Sequence, residues 1–550
     1  MKVRALLCAC ILLIPTGVLL FRYSRLDSEW GRLSDRLHQR ANLLASAVPK
    51  SESLGTNASS RKHSLSREFD PVVNPYASAL REPGKSKRPW DPNFLKLYEQ
   101  ISTGVPIRFG LTEGRVAVGT VHIAQHRGGE LTYVSGDLIE PEAGKFFVLK
   151  PPTGGRAGKA AGVIEFWGSK TAYRIEPTGP DGDPELWQRR LDEVLCLSLP
   201  LMIPGNQNEI ETSPNLRPDA TPDYAPTYNS NIVSLQSCPG APAVLLLDFF
   251  GGYTPTWGGI HYAKPTLSNY EIRNVWKRVV EDFMPFNLNV TTDIRVYESA
   301  PISSRQKCIF TPSTSAMPVG AAGVAYIGSW NWGNDTVCWS IYLTGKAAGE
   351  VAAHESGHAL GLGHQGTLSA SYYGGHGVGA TGWAPIMGVG YYHPVTTWAQ
   401  GEYQDADNDE DELNIIVTQN NNVTYRADDA GSFLASSRYL EVYPDYFAHA
   451  EGIIERTGDS DAFRFSTQGG WVSLNASPVG DWGNLALSVS LLNAQDTVLV
   501  GNHPQNVLSA GIQTNLSAGT YSFRVTGAGR NDPFNSGFSA YGSLGYYSVT

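Results

Sequence analysis

The spacing of apolar residues changes along the chain, and these changes predict its elements. Between Ile107 and Ile175, short alternating apolar runs separated by glycine and proline are typical of strands in a small β-rich unit. Val244–Phe250 is a nearly continuous apolar run, as expected of a strand that is buried on both faces. Past about Val417, short apolar runs return at the intervals of an antiparallel sandwich.

A helical pattern follows the buried strand. Ser268–Glu271 has the spacing of a capping box, and apolar residues then recur at helical spacing up to Phe283. Pro285 ends the predicted helix, and Leu288–Thr292 has the composition of the next strand. A strand–helix–strand unit implies a parallel sheet. The later elements predicted in this region are strands at Val324–Ile327 and Val337–Leu343 and a helix that begins near Lys346.

The N-terminal residues have the pattern of an export segment. Lys2 and Arg4 precede an apolar run from Ala5 to Phe21. Because no small-x-small cleavage site follows directly, residues 1–22 fit both a cleaved signal peptide and an uncleaved membrane anchor. We therefore expect an exported protein, either secreted or membrane-anchored, in the extracellular or periplasmic space.

Composition narrows the function classes. The formal net charge of −10 argues against a nucleic-acid partner, and the apolar fraction of 41 % excludes disorder for most of the chain. Two of the six cysteines lie in the N-terminal apolar run, and the remaining four fit either one or two disulfides or buried free thiols. These four are Cys196, Cys238, Cys308 and Cys338.

The segment His354–His364, with the sequence HESGHALGLGH, carries the strongest chemical signal. Two histidines at i and i+4 share one helix face and can bind one metal ion, while Glu355 between them can reach a water on that metal. Gly361 can end the helix and turn the chain, which brings His364 round as a third ligand. Three imidazoles and one open position form a catalytic zinc site rather than a structural one.

This segment resembles the extended zinc motif of the metzincin metallopeptidases. Leu360–His364 is most similar to the matrixin and serralysin branches, and Met387 follows at a spacing compatible with the methionine turn of that family. The resemblance covers roughly residues 239–417 and implies an α+β metzincin catalytic domain, with a twisted mixed sheet and an active-site helix. Val389 stands where several metzincins have a tyrosine, and Tyr391, Tyr392 and His393 follow it.

The ligand set implies a peptidase mechanism. Zinc lowers the pKa of its bound water towards 7, and Glu355 acts as general base and then as general acid towards the leaving amine. Gly323–Ser329 resembles the antiparallel edge strand with which metzincins align an extended substrate. We therefore predict a zinc-dependent endopeptidase that acts on protein or peptide substrates. The alternatives are an inactive cell-surface binding or structural protein and a zinc enzyme that hydrolyses another bond.

The region before the catalytic domain fits a pro-segment. Cys196 is the candidate for a cysteine that occupies the water position on zinc, and a Cys196–Cys238 disulfide is its rival. A Cys308–Cys338 pair is also expected. The domain prediction is residues 1–22 as signal peptide or anchor, 23–94 as polar linker, 95–235 as β-rich pro-region, 236–420 as catalytic domain and 421–550 as C-terminal β-sandwich.

Weaker signals lie outside the motif. Alternating acids at Asp405, Asp407, Asp409 and Asp411 are a candidate Ca²⁺ loop, although a solvated helix cap fits them better because the EF-hand pattern fails. His376 and His393 are expected to have surface or packing roles. The last hundred residues resemble the pre-peptidase C-terminal domains of secreted bacterial peptidases, which implies an accessory module, often removable, that contacts a substrate or a cell surface.

Overall fold

The computed structural model describes residues 87–90, 103–127, 130–149, 161–177, 184–196, 232–315, 321–341, 343–419, 421–443, 446–480 and 483–550. The N-terminal export segment, most of the 23–94 linker and the Pro- and Asn-rich connection at 204–230 lie outside these residues. Among the described helices, none is long and apolar enough to cross a membrane.

The N-terminal described part is one antiparallel sheet of eight strands in the order β1-β8-β7-β6-β5-β4-β3-β2. It curls into a half-barrel around buried residues such as Phe109, Phe146 and Tyr173. The alternating pattern between Ile107 and Ile175 is thus confirmed as strands. The strands are β1 (Lys87–Pro89), β2 (Pro106–Gly110), β3 (Val116–Arg127), β4 (Glu130–Glu140), β5 (Gly144–Leu149), β6 (Ala161–Phe166), β7 (Thr171–Pro177) and β8 (Pro184–Arg190).

A five-stranded mixed sheet and four helices form the middle part. The sheet has the order β12-β9-β13-β15-β14, in which only the edge strand β14 runs antiparallel to its neighbour. The bounds are β9 (Ala243–Asp248), β10 (Gly252–Thr254), β11 (Ile260–Tyr262), α1 (Asn269–Phe283), β12 (Leu288–Thr291), α2 (Ile294–Ser299), β13 (Arg305–Phe310), β14 (Gly323–Val324), β15 (Cys338–Ser340), α3 (Gly345–Leu360), β16 (Trp383–Pro385), β17 (Val395–Thr397) and α4 (Glu412–Thr418).

The strand–helix–strand prediction is confirmed. β9 is buried along its whole length and pairs in parallel with β12, and α1 crosses between them. The capping box is also present, because the Ser268 side chain accepts from the Glu271 backbone while the Glu271 carboxylate accepts from the Ser268 backbone at 2.7 Å. The box satisfies two amide groups that would otherwise lack partners at the start of the helix.

The C-terminal part is a seven-stranded sheet built on two long strands. β20 and β23 pair antiparallel along most of their length, and β20 bends at Gly469 and Gly470, whose φ angles of 102° and 113° suit glycine. The bend brings two halves of the sheet around one apolar core. The strands are β18 (Arg438–Tyr439), β19 (Ala450–Ile454), β20 (Ser460–Pro478), β21 (Leu487–Leu492), β22 (Val498–Asn502), β23 (Ala510–Gly527) and β24 (Gly545–Val549).

The C-terminal sheet shares its core with the middle part. One continuous cluster of buried apolar residues runs from β9 and α1 into β20, β21 and β23. At this junction Asn484 donates to the Asp282 carboxylate at 2.9 Å and accepts from the Thr396 backbone at 3.1 Å. Removing the C-terminal sheet would expose this core, so the expectation of a removable accessory module does not fit the structure.

The predicted fold class is wrong. The structure is mainly β, with 41 % strand and 15 % helix, and its largest sheet is the curled antiparallel half-barrel. The α+β assignment was implied by the metzincin resemblance of residues 239–417, where the two predicted helices form as α1 and α3. Much of the chain between and after them forms short strands and glycine-rich loops instead, because side-chain-to-backbone hydrogen bonds satisfy the backbone there.

Candidate metal centre

Helix α3 positions the first two histidines of the motif. Its last turns are buried, with His354 7 % exposed and His358 fully buried, and both rings lie on the same face. Gly361 ends the helix in the left-handed conformation with φ 113°, and its amide donates to the His358 carbonyl at 2.9 Å. The chain can therefore turn at once and bring His364 back to the other two rings.

The three imidazoles converge through their Nε2 atoms. His354 Nε2 and His358 Nε2 lie 3.0 Å apart, and the His364 ring centre is 4.7 Å from that of His358. His354 Nδ1 lies 2.9 Å from the Ile386 carbonyl, and His358 Nδ1 lies 2.7 Å from the Leu362 carbonyl. Because a carbonyl oxygen can only accept, these contacts place the proton on Nδ1 and direct the Nε2 lone pairs towards one point.

Burial keeps these rings neutral. Removal from water lowers the pKa of His354 to about 4, and it lowers the pKa values of His358 and His364 well below the ordinary value for histidine. Mutual repulsion among the three rings acts in the same direction for His358 and His364. Neutral imidazole is the form that binds a metal ion.

Cys196 completes the cluster from the N-terminal part of the chain. Its Sγ lies 3.2 Å from His364 Nε2 and 3.9 Å from His354 Nε2, and the four ligand atoms all lie within 4.8 Å of one another. The backbone holds it there, because the Cys196 amide donates to the Ala325 carbonyl at 3.0 Å and the Ile327 amide donates to the Val194 carbonyl at 3.2 Å. Val194–Cys196 thus extends the edge of the middle sheet.

The disulfide alternatives are not formed. None of the four cysteines among the described residues forms a disulfide, and Cys238 lies near Asn287 rather than Cys196. Cys308 and Cys338 are neighbours in register on β13 and β15, yet they too are free. The prediction of a Cys308–Cys338 disulfide is therefore wrong, although the two residues lie side by side.

Glu355 lies beside the cluster and is fully buried. Its Oε1 is 3.9 Å from Cys196 Sγ, so its carboxylate faces the same position as the thiol. Gly323 on the edge strand makes room for it, since a Cβ at this glycine would lie 2.6 Å from Glu355 Oε1 and 2.6 Å from the Val351 side chain. The glutamate therefore sits between the helix and the strand that was predicted to align a substrate.

Met387 packs beneath the helix that bears the histidines. It is fully buried, and a Cβ at Gly357 would lie 2.6 Å from its Sδ, so the absence of a side chain at Gly357 allows this close approach. The Met387 carbonyl accepts from the Gln365 amide at 2.9 Å, which links the turn to the residue after His364. Its role in a methionine turn beneath a metal stays a prediction.

Tyr372 is the residue that sequence reasoning missed. Its ring lies 4.3 Å from that of His364, and its hydroxyl lies 4.0 Å from Cys196 Sγ. By contrast, Tyr392 is 53 % exposed, and the Val389 amide pairs with the Tyr373 carbonyl. The one signal in the sequence that could have indicated Tyr372 is its position, eight residues after His364. The metzincin resemblance instead directed attention to the residues that follow Met387.

The weaker candidates lie outside this cluster. His376 contacts the Tyr373 hydroxyl at 2.5 Å and the Gly537 carbonyl at 2.6 Å, which is a packing role as expected. Asp411 caps α4 by accepting from the Asn414 amide at 3.0 Å, and Asp407 accepts from the Gly366 amide at 2.9 Å. Among the described residues, the alternating acids at 405–411 are not part of a cluster with metal-binding geometry. A Ca²⁺ role for this loop stays a prediction.

A buried acid lies where the N-terminal sheet meets the middle sheet. Glu165 on β6 is 1 % exposed, and the Tyr326 hydroxyl donates to its Oε1 at 3.5 Å. Burial raises the pKa of Glu165 to about 7, despite the opposing influence of Lys145. Tyr326 also pairs with Leu195, so this acid borders the contact that holds Cys196 in place.

We expect Glu165→Gln to stabilise the chain at pH 8 and to leave it unchanged at pH 4. The folded-state pKa lies above the ordinary value of 4.5, so the free energy of unfolding falls as pH rises from about 4.5 to 7. Removing the ionisable group removes this loss, which we estimate at about 1–3 kcal/mol. Thermal unfolding at both pH values measures it, with the exposed Glu113→Gln as control. Equal Tm values for wild type and Glu165→Gln at pH 8 would contradict the assignment.

Comparisons with known proteins show partial likenesses. No protein-family model matches the chain, and no curated protein matches it. The chain is similar to the pre-peptidase C-terminal domain of a collagenase from Bacillus anthracis, with 14 % identity, 23 % of this chain and 98 % of that chain covered, and a TM-score of 0.14. It is also similar to PliG, a periplasmic inhibitor of g-type lysozyme from Aeromonas hydrophila, with 12 % identity, 20 % and 91 % covered, and a TM-score of 0.15. The metzincin resemblance therefore stays a prediction.

Proposed function

We propose that the protein is an exported zinc endopeptidase that its own N-terminal region keeps inactive. The observation that carries the proposal is the convergence of three histidine Nε2 atoms and the Cys196 thiol around one point, with Glu355 beside it. The N-terminal sequence supports export, and the similarity of His354–His364 to the metzincin zinc motif supports peptide hydrolysis. Proteins or peptides are the proposed substrates.

The donor set fits zinc. Tetrahedral zinc with Zn–N bonds of about 2.0–2.1 Å separates its nitrogen ligands by roughly 3.3 Å, and a thiolate at about 2.3 Å lies roughly 3.6 Å from them. The 3.0 Å between His354 and His358 and the 3.2 and 3.9 Å from Cys196 Sγ lie close to these values. Two of the rings also donate Nδ1 protons to backbone carbonyls, which is the usual support for zinc-binding histidine.

The site residues divide the chemistry of peptide hydrolysis. Bound zinc would polarise the scissile carbonyl and supply a water of lowered pKa. Glu355 would take the proton of the attacking water and deliver it to the leaving amine, because its carboxylate faces the position that Cys196 Sγ occupies. The Tyr372 hydroxyl, which faces the same position, would donate a hydrogen bond to the oxygen on which negative charge develops.

The N-terminal region would block the site in two ways. Cys196 takes the place that a water needs, and Val194–Cys196 pairs with the backbone of Ala325–Ile327. An extended substrate would use the same backbone groups, since strand addition to a free sheet edge is a common mode of peptide binding. Activation therefore requires Val194–Cys196 to leave the edge strand, for example after proteolysis of the preceding region from the catalytic part.

The proposal is tested by metal content and by casein hydrolysis. We expect about one zinc per chain in the full-length protein, and hydrolysis that appears after limited proteolysis and disappears with a chelator. His358→Ala should lose both the zinc and the activity. His503→Ala should keep both, because His503 is exposed and its Nε2 contacts the Gly529 carbonyl at 2.8 Å rather than the metal centre. Equal zinc content in wild type and His358→Ala would refute the metal site.

A further inference from the structure

A second group of possible metal ligands lies far along the chain, at the start of the C-terminal sheet. Carboxylate oxygens of Asp428, Glu455 and Asp459 all lie within 4.8 Å of one another. Asp428 belongs to the segment that enters the sheet, while Glu455 and Asp459 belong to the turn between β19 and β20. Residues from two separate segments are thus brought to one point.

Glu455 is the member of this group whose buried carboxylate has no hydrogen-bond donor among the described residues. The residue is only 2 % exposed, and neither of its carboxylate oxygens accepts a hydrogen bond from a donor in the described part of the chain. A buried carboxylate without a donor is costly, because it loses its hydration and gains nothing in return. Burial and the adjacent Asp459 carboxyl raise the pKa of Glu455 to about 9.

The charged residues around Glu455 do not offset the free-energy cost of burying its carboxylate. Asp429 and Asp461 add further negative charge nearby, and both raise the pKa of Glu455. Arg438 pairs with Asp429 at 3.0 Å, and Arg456 stacks over the Tyr425 ring at 5.1 Å. Among the described residues, no salt bridge neutralises Asp428, Glu455 or Asp459.

We propose that Asp428, Glu455 and Asp459 bind one Ca²⁺ ion that fastens the entering segment to the C-terminal sheet. Carboxylate oxygens alone select hard cations, and Ca²⁺ binds oxygen at about 2.3–2.6 Å in flexible geometry. Carboxylate oxygens within 4.8 Å of one another can share one ion of this radius, and the flexible coordination of Ca²⁺ suits ligands from two separate segments better than the strict octahedron of Mg²⁺. Asp428 is exposed, so water can complete the coordination.

The site differs from the acidic loop at 405–411 and is independent of the zinc proposal. Its expected effect is on stability, because the ion bridges Asp428 to the β19–β20 turn. The same turn is linked to the middle part of the chain through Tyr541, since the Thr457 hydroxyl donates to the Tyr541 carbonyl at 2.6 Å and the Tyr541 hydroxyl donates to Asp411. Calcium would therefore stabilise the junction between the C-terminal sheet and α4.

Calcium titration of the full-length protein tests this site. The protein is stripped of metals, reloaded with zinc and freed of chelator before CaCl₂ is added in a calorimeter. We expect one Ca²⁺ per chain with a Kd in the range of roughly 10⁻⁵–10⁻³ M, and a rise in Tm of about 4–8 °C at saturating Ca²⁺. Glu455→Gln should abolish both responses, while the exposed Glu441→Gln should keep them.

The Glu455 variant also separates loss of binding from loss of folding. Without calcium, Glu455→Gln should unfold at the same or a higher temperature than wild type, because it removes charge repulsion with Asp459. Absence of saturable Ca²⁺ binding in wild type would overturn the proposal, as would equal binding by Glu455→Gln. A stronger response to MgCl₂ than to CaCl₂ would overturn the choice of calcium.

Discussion

Replacing Cys196 with alanine is expected to give a full-length chain that hydrolyses casein without prior proteolysis. The thiol lies 3.2 Å from His364 Nε2 and 3.9 Å from Glu355 Oε1, so its removal frees both the proposed fourth ligand position and the space beside the proposed base. Loss of one metal–thiolate contact corresponds to roughly 1.4 kcal/mol or more, which is at least about a tenfold rise in activity. The initial rate of hydrolysis by intact chains measures it.

Cys238→Ala is the matched control for this change. Cys238 is a partly buried free thiol that lies away from the histidines, with its Sγ 4.0 Å from Asn287 Oδ1. We expect this variant to remain as inactive as wild type. A thiol reagent should label Cys196 slowly in the zinc-loaded protein and faster after chelation. If zinc-loaded Cys196→Ala hydrolyses casein no faster than wild type, the Cys196 thiol is not what inhibits the full-length chain.

Cys196 also shows where sequence reasoning stopped. The sequence favoured two alternatives for this residue, a zinc ligand and a disulfide with Cys238, because spacing along a chain does not determine which distant residue a thiol will meet. The tertiary pairing of Val194 with Ile327 places the thiol at the histidines. Local features could be predicted from the sequence. The capping box at Ser268 and the glycine that ends α3 depend only on residues that are close in the chain.

The fold class was wrong for a related physical reason. Helical periodicity is easily recognised in α1 and α3. The alternating runs of the half-barrel predict strands but not how the sheet curls, and its edge strand β1 pairs Lys87 with the distant Trp187. The same holds for Tyr372 and for Glu455, whose surroundings come from separate segments. The convergence of His354, His358 and His364 was accessible because all three lie within one helix and one turn.

The largest loss of activity is expected from Glu355→Gln. We place this substitution in the Cys196→Ala chain, in which the thiol no longer occupies the proposed fourth ligand position. Glutamine keeps the shape of the side chain but cannot accept the proton of the attacking water at neutral pH. We expect about one zinc per chain to remain and kcat to fall by about 10³-fold, within the usual contribution of general acid–base catalysis of roughly 10²–10⁴. Metal analysis and steady-state kinetics with a casein-derived peptide measure the two quantities.

Two companion variants define what this loss means. Glu298→Gln, an exposed acid on α2, should leave kcat and zinc content unchanged. Tyr372→Phe should lower kcat by about 10–100-fold with little change in KM, because its hydroxyl would act on charge that develops only in the transition state. Turnover retained by zinc-loaded Glu355→Gln would remove the glutamate from its proposed role. If Glu355→Gln binds no zinc, Glu355 instead positions the histidines, since its buried carboxylate lies between α3 and the edge strand.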